Sequence, residues 1–178
     1  MNMILMAYCQ FNRLSQSLLT PLLPLLARFV FAGSLFLFFI NSAKTKFGDH
    51  LLSPSIGGYG QILPLKAAAN GYNPAAFNWF DWFIVMAGTY GEILLPLLLV
   101  LGLFTRIAAA GMLGFIFVMT VVDVTGHGVA IGYIFDRHAT GILDQRMFWG
   151  FLLVTLLATG GGKISLDGLF DRMKSKSA

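Results

Sequence analysis

Hydrophobic residues in this 178-residue chain are concentrated in long runs that are separated by polar connectors. An α-helix rises 1.5 Å per residue, so about 20 apolar residues cross the roughly 30 Å hydrocarbon layer of a bilayer. The pattern predicts an all-α fold, a four-helix transmembrane bundle that forms a single domain over residues 1–178. The predicted spans lie at about residues 21–43, 80–102, 107–124 and 145–160.

Local signals indicate where the spans begin and end. Thr20 followed by Pro21 is typical of an N-cap with proline at the first helical position, so the first span is predicted to start there. The fourth span is short, at roughly 22 Å. Only residues 103–106 separate the second and third spans, which predicts a tight antiparallel pair.

Two long polar connectors, residues 44–78 and 125–144, are predicted to be outer loops. The first contains turn signals such as Ser53-Pro54 and Asn73-Pro74, and its residues 61–69 predict a short surface helix. The first 17 residues lack the charge order of a signal peptide, and we interpret them as an uncleaved amphipathic helix in the membrane interface.

Composition and charge support a membrane location. Hydrophobic residues make up 57% of the chain and charged residues 11%, against about 25% charged residues in soluble domains. The net charge of +4 comes mostly from the C-terminal tail. Together with Arg13 and Arg106, this basic tail predicts that both termini are cytoplasmic, and it does not resemble a nucleic-acid surface.

The single cysteine, Cys9, excludes a disulfide framework, a dithiol redox pair and a thiolate metal site. The sequence also carries no cysteine cluster for an iron–sulfur centre, no haem-attachment motif and no dinucleotide fingerprint of the kind that NAD and flavin enzymes use. Any electrons that the protein handles must therefore come from a partner or a substrate.

Glu92 is the most informative residue in the sequence because it lies near the middle of the second apolar run. A carboxylate at that depth is costly unless it is neutral, paired or facing water. Pro96 lacks the N–H that would bond the carbonyl of Glu92, which places a second unsatisfied group in the same turn. Two interpretations remain open: a structural ion pair, and a polar site that handles protons.

Arg28 is the one charge inside the first apolar run, and its role is also open. Its long side chain reaches the near interface if it snorkels. The alternative is an ion pair with Glu92, since the helical rise places the two at depths that a guanidinium can bridge.

Aromatic residues cluster where the second span begins. An aromatic belt at the level of the lipid headgroups explains the cluster. The alternative is a vestibule in which a flat hydrophobic ligand stacks, and the candidate ligand-binding residues are then Trp79, Trp82, Phe83 and Tyr90.

The second connector holds several metal-ligating side chains, which are Asp123, His127, Asp136 and His138, beside Arg137. Gly126 and Gly128 interrupt any helix that would align Asp123 with His127, and the spacing of a structural zinc site is absent. We therefore predict that no metal binds there, with a metal site as the alternative that the side chains leave open.

Three segments form a combined pattern: Arg28 with Ser42-Ala43-Lys44-Thr45-Lys46, the stretch GEILLPLLLVLGLFTRIAAAGMLGFIFVM at residues 91–119, and GGGKISLD at residues 160–167. Together they resemble the DoxX family of small four-helix membrane proteins. The resemblance implies a multi-pass protein of the bacterial plasma (inner) membrane. It also implies functional positions at Arg28, Lys46, Glu92 and Arg106. The chain departs from the family pattern at Ala43, where the family usually has Gly, and in its long, aromatic-rich first loop.

The resemblance implies two kinds of redox function. Some DoxX proteins are subunits of quinone-linked oxidoreductases such as thiosulfate:quinone oxidoreductase, and others are membrane partners of redox-defence enzymes. We therefore predict a quinone-linked membrane subunit in which Glu92, Arg28 and Lys46 are the catalytic candidates and a quinone is the cofactor. The alternatives are a non-catalytic membrane anchor for a soluble redox enzyme and a small-molecule or metal-complex transporter. Expected partners are the lipid bilayer, a redox protein and a second copy of the chain.

Overall fold

The computed structural model of the chain describes residues 3–133 and 141–177. Within these residues it contains helices and no strand, so the all-helical prediction is confirmed. The helices are α1 (Met3–Phe31), α2 (Leu37–Lys44), α3 (Ile56–Ile62), α4 (Pro64–Ala69), α5 (Trp79–Leu101), α6 (Thr105–Gly126), α7 (Leu143–Thr159) and α8 (Leu166–Ser177).

Helices α1 and α2 form one continuous rod of 42 residues, joined by a π-helical segment at Ala32–Phe36. The prediction that the first helix begins at Thr20 and Pro21 is therefore wrong. Pro21 and Pro24 lie inside α1, and the helix starts at Met3.

The two prolines leave α1 intact for a local reason. Each proline lacks the backbone N–H that would bond the carbonyl four residues earlier. The two carbonyls left without this bond belong to Ser17 and Thr20, and both residues are exposed. Apolar helices in a bilayer tolerate proline, because every other backbone group must stay hydrogen-bonded within the helix where water is absent. The N-terminal segment expected at the membrane interface is thus the first half of the same rod.

Three helical stretches within the described residues are long and apolar enough to cross a membrane. They are the rod Met3–Lys44, α5 and α6. These stretches indicate a membrane protein in a lipid bilayer. The fourth predicted run corresponds to α7, which has 17 residues.

The π-helical segment keeps one face of the rod directed at the core. Buried positions recur every four residues, at Ala27, Phe31, Leu35, Phe39 and Ala43. A strict four-residue repeat drifts by about 40° per step on a helix of 3.6 residues per turn. The wider π turn takes up part of that drift.

The rod, α5, α6 and α7 pack in a ring, with α5 beside α6, α6 beside α7, and the rod touching both α5 and α7. They enclose an apolar core. Its buried side chains are Ala27, Phe31, Leu35, Phe39, Leu99, Ala108, Ala109, Met112, Ile116, Leu153 and Leu156.

The first connector, predicted as a loop, is largely folded. It contains helices α3 and α4 and a 3₁₀ turn at Pro74–Ala76. Helix α3 packs against α5, and α4 packs against α6. The ring of Tyr59 stacks on Phe77 at 3.9 Å, and Lys66 bonds Asp81 at 2.6 Å. Helix α8, which follows the glycine-rich segment after α7, was not predicted.

Candidate functional site

Glu92 pairs with Lys46. Lys46 Nζ donates to both carboxylate oxygens of Glu92, at 3.1 Å and 2.9 Å. Both side chains are only 4% exposed. Of the two interpretations of Glu92, an ion pair is therefore present, and its partner comes from the end of the first rod rather than from Arg28.

The local fold around Lys46 directs its side chain inward. Lys46 follows the last turn of α2, and its ammonium reaches back to Ser42, donating to the hydroxyl at 2.7 Å and to the carbonyl at 3.2 Å. The carbonyl of Lys46 accepts from the backbone N–H of Ser55. With two carboxylate oxygens and two oxygens of Ser42, the buried ammonium is well supplied with acceptors.

Helix α3 holds Lys46 in place through a close backbone contact. A Cβ atom added at Gly58 would lie 2.8 Å from the carbonyl oxygen of Lys46. Any side chain at Gly58 would push α3 away or displace Lys46. The glycine therefore sets how closely α3 covers the ion pair.

A cavity of about 520 Å³ lies beside the pair, between α2, α5, α6 and the start of α7. Glu92, Lys46 and Ser42 form its inner wall, and exposed lining residues such as Ala87, Gly114 and Val118 place its opening on the α5–α6 face. The remaining wall is largely apolar, with Phe38, Ile84, Leu95, Phe115 and Met119.

Glycines line the cavity on both helices, at Gly88 and Gly91 on α5 and at Gly111 and Gly114 on α6. Gly88 and Gly111 lie close to neighbouring side chains, since an added Cβ atom would be 3.0 Å from Ile62 and from Leu95 respectively. Nothing lies within 4 Å of a Cβ atom added at Gly114, so a side chain there would occupy open space. The glycines therefore have two effects: Gly88 and Gly111 allow close packing, and Gly114 leaves room in the cavity.

A second ion pair lines the same cavity. Arg146, in the first turns of α7, donates from Nη2 to Asp123 at 2.7 Å, and its guanidinium lies 4.6 Å from the ring centroid of Trp149. His127 Nε2 lies 3.0 Å from the carbonyl oxygen of Gln61, at the same end of the cavity. Two polar clusters thus share one apolar space.

Arg28 does not take part in the cavity. Its guanidinium donates to the carbonyl oxygens of Leu99 and Val100, at the end of α5, and to those of Gly161 and Ile164. Leu99 is about 10 Å along α5 from Glu92. The alternative of an Arg28–Glu92 pair is therefore wrong, because the last carbonyls of α5 offer the guanidinium nearer acceptors.

The same end of the bundle binds Asp167 tightly. Its carboxylate accepts from the backbone N–H groups of Phe104 and Thr105 and from the Thr105 hydroxyl. Burial alone would raise the pKa of Asp167, but these hydrogen bonds and the charge of Arg28 outweigh it, so the pKa is lowered. Arg28 and the GGGKISLD segment therefore act together as a clamp on the α5–α6 turn.

The four aromatic candidates also lie outside the cavity lining. Trp79 stacks on Phe83 and is 70% exposed. Trp82 and Tyr90 donate to the carbonyls of Leu52 and Leu51 and so secure the first connector.

The predicted absence of a metal site falls partly outside the described residues, because Asp136, Arg137 and His138 lie there. Among residues 3–133 and 141–177, no group of three metal-ligating side chains could hold an ion. Asp123 instead pairs with Arg146.

Sequence reasoning missed Ser42, Gln61 and Arg146 as cavity residues. Ser42 was identified only as part of a motif, and Arg146 was not identified as a candidate. The one signal for Arg146 was its position just inside the fourth apolar run, next to an aromatic cluster at Phe148 and Trp149.

No model of a known protein family, no curated protein and no solved structure matches this chain. The site must therefore be interpreted from its own chemistry.

Proposed function

We propose that the protein is a membrane subunit of a quinone-linked oxidoreductase system and that the cavity beside Lys46 and Glu92 binds the quinone ring. One observation carries the proposal: a buried ion pair forms the wall of an apolar cavity that opens sideways between two apolar helices. A lipid-soluble ring can enter such an opening without crossing water. Binding sites of this kind combine apolar walls with a few polar groups that fix orientation.

The ion pair suits the chemistry of a quinone. Reduction to the hydroquinone takes up two electrons and two protons, and negative charge develops on a ring oxygen. In a bound quinone, Lys46 would stabilise that charge and Glu92 would pass one proton to the same oxygen, while the second proton would reach the opposite ring oxygen from water at the other end of the cavity. The electrons come from an electron-donating partner protein.

We also propose how the chain is arranged in the membrane. With α7 as a fourth span, the rod, α5, α6 and α7 form the transmembrane bundle, and both termini face the cytoplasm. The charge pattern of the tail supports this orientation. The resemblance to DoxX proteins supports a bacterial inner membrane and a redox role.

The test uses cavity filling. In lipid nanodiscs, 2,3-dimethyl-1,4-naphthoquinone should quench the tryptophan fluorescence of the wild-type protein in a saturable way. Gly114→Leu should weaken this binding by about tenfold or more, because the leucine fills the cavity. Gly33→Leu is the matched control, since nothing lies within 4 Å of a Cβ atom added there either and Gly33 lies outside the cavity.

Two results would contradict the proposal. The first is no saturable quenching of the wild type together with no quinone in lipid extracts of the purified protein. The second is a Gly114→Leu protein that binds the quinone normally but changes from dimer to monomer, which would show that the cavity face packs against a second copy. The alternative of an aromatic vestibule is tested separately. It predicts that a Trp79→Phe/Trp82→Phe protein no longer binds the quinone.

A second candidate function, a non-catalytic anchor, is favoured by the first half of α1. Residues 3–23 are almost wholly exposed and carry large apolar side chains such as Ile4, Phe11 and Leu18. Such a surface suits a protein partner. If this function is correct, a soluble redox enzyme co-purifies stoichiometrically after mild solubilisation, and Glu92→Gln leaves the activity of the complex unchanged.

A further inference from the structure

Two donor atoms of Arg146 have no acceptor among residues 3–133 and 141–177. Its Nη2 bonds Asp123, but Nε and Nη1 are buried and have no partner among the residues that the structure describes. The side chain is only 11% exposed and is held over the ring of Trp149. Buried donors of a charged group are nearly always satisfied in folded proteins, so a group outside the described chain is the expected acceptor.

Arg146 and Glu92 line the same cavity from different levels. Gly91 lies against Phe115, since a Cβ atom added to the glycine would be 3.6 Å from that ring. Asp123 follows Phe115 by eight residues, or about 12 Å along α6. Side chains on a helix tilt toward its N-terminus, and because α5 and α6 are antiparallel, Glu92 and Asp123 tilt toward each other. The two ion pairs therefore face one another with an offset along the helix axes of less than about 12 Å.

The charges in the cavity favour a neutral ligand. Asp123 balances Arg146, and Glu92 balances Lys46. An anion bound between two neutral pairs would add an uncompensated charge to an apolar space. A carbonyl oxygen accepts a hydrogen bond from a guanidinium without adding charge.

We propose that Arg146 is a positioning residue that donates to one carbonyl oxygen of a neutral, ring-shaped ligand, while the opposite oxygen of the ring lies at the Lys46–Glu92 pair. This inference rests on the proposed quinone site and deepens it. It assigns each end of the ring a partner. The ligand class is a ring with oxygens at opposite positions, as in a 1,4-quinone.

Trp149 provides a built-in reporter beside Arg146. The chain has three tryptophans, so Trp79→Phe/Trp82→Phe leaves Trp149 as the only one. In nanodiscs, quenching of Trp149 by 2,3-dimethyl-1,4-naphthoquinone reports binding at this end of the cavity. Arg146→Lys in that background keeps a cation for Asp123 but loses the Nε and Nη1 donors.

The expected result is that Arg146→Lys weakens quinone binding about tenfold, as loss of a hydrogen bond to a charged group predicts. Arg172→Lys, a change of the same kind at an exposed residue of α8, should stay within about twofold of the parent. If Arg146→Lys fails to fold, Asp123→Asn/Arg146→Gln removes both charges together and should weaken binding to a similar extent.

Different failures are distinguishable. If the wild type binds and Gly114→Leu does not, but Arg146→Lys binds like the parent, Arg146 does not contact the ligand and only this inference falls. If no quinone quenches the wild type, both proposals fall. If laurate displaces the quinone and does so far better from the parent than from Arg146→Lys, the subsite takes an oxyanion, and the neutral ligand is wrong.

Discussion

Lys46 Nζ bonds both carboxylate oxygens of Glu92, and residues 46 apart in the sequence thereby connect the first rod to α5. The pair lies next to apolar walls, where each charge alone would be strongly disfavoured. Its position at the wall of a cavity, rather than inside the packed core, leaves both groups next to any ligand that enters.

The first prediction concerns the cost of breaking this pair. Glu92→Gln leaves the ammonium of Lys46 buried without its counter-charge, and Lys46→Met does the same to the carboxylate. Each single change should lower the free energy of unfolding by about 3–5 kcal/mol, measured by SDS titration in mixed micelles. The double variant Lys46→Met/Glu92→Gln should recover a large part of this loss, because no unpaired charge remains.

The double variant separates stability from function. If the pair is functional, the double variant folds but binds or turns over quinone poorly. A double variant that is as destabilised as the two single changes added together would show that the two side chains are not coupled.

The second prediction concerns Arg28, which bonds four backbone carbonyls at the end of α5 and in the segment after α7. Arg28→Lys keeps the charge but cannot reach all four acceptors. It should lower the free energy of unfolding by about 1.5–3 kcal/mol in the same SDS titration. Quinone binding by the folded fraction should be unchanged. If Arg28→Lys loses quinone binding while its stability stays normal, Arg28 belongs to the functional site after all.

The contrast between Lys46 and Arg28 shows what the sequence could predict. The apolar runs and the buried acid depend on local composition, so the helices and Glu92 were predicted from it. The partner of Glu92 depends on how far the first rod extends and where α2 ends. The rod begins at Met3 rather than Thr20, and the π-helical segment shifts its register, so counting residues from a predicted start misplaced Arg28 relative to Glu92.

The cavity was harder to predict for a different reason. Glycines such as Gly111 and Gly114 indicate close packing and open space equally well, and only the positions of neighbouring helices decide between them. Arg146 depends on the same packing, since its partner Asp123 lies on α6. Folding within the first connector was predicted only for residues 61–69, where α4 lies.

The third prediction uses two adjacent glycines of α3. A Cβ atom at Gly58 would meet the carbonyl oxygen of Lys46 at 2.8 Å, whereas one at Gly57 would meet its nearest neighbour at 3.5 Å. Gly58→Ala should therefore displace Lys46 and reduce both stability and quinone binding. Gly57→Ala should be neutral or slightly stabilising, because alanine favours helix by up to about 1 kcal/mol over glycine.

Thermal unfolding in detergent and the fluorescence titration measure both effects on the same samples. Equal behaviour of the two alanine variants would show that α3 does not hold Lys46.

The last prediction follows from Asp167, whose carboxylate accepts three hydrogen bonds at the start of α6. Asp167→Asn should lower the free energy of unfolding at pH 7 by about 1–2 kcal/mol, the usual range for a lost helix cap.

The effect of Asp167 on stability should also depend on pH. The pKa of Asp167 is lowered in the folded protein, because the hydrogen bonds from Thr105 and Phe104 outweigh the effect of burial. In the acid range the unfolded chain therefore binds more protons than the folded chain. The stabilisation is complete above the unfolded pKa of about 3.9 and is lost as the pH falls through the lower folded value. The difference between wild type and Asp167→Asn should thus be constant from about pH 7 to pH 5 and shrink below about pH 4. Asp171→Asn, one turn later on the exposed face of α8, is the matched control and should change the free energy of unfolding at pH 7 by no more than about 0.5 kcal/mol. A wild-type advantage that persists unchanged to pH 3 would mean that the side chain acts through its shape and not through its charge.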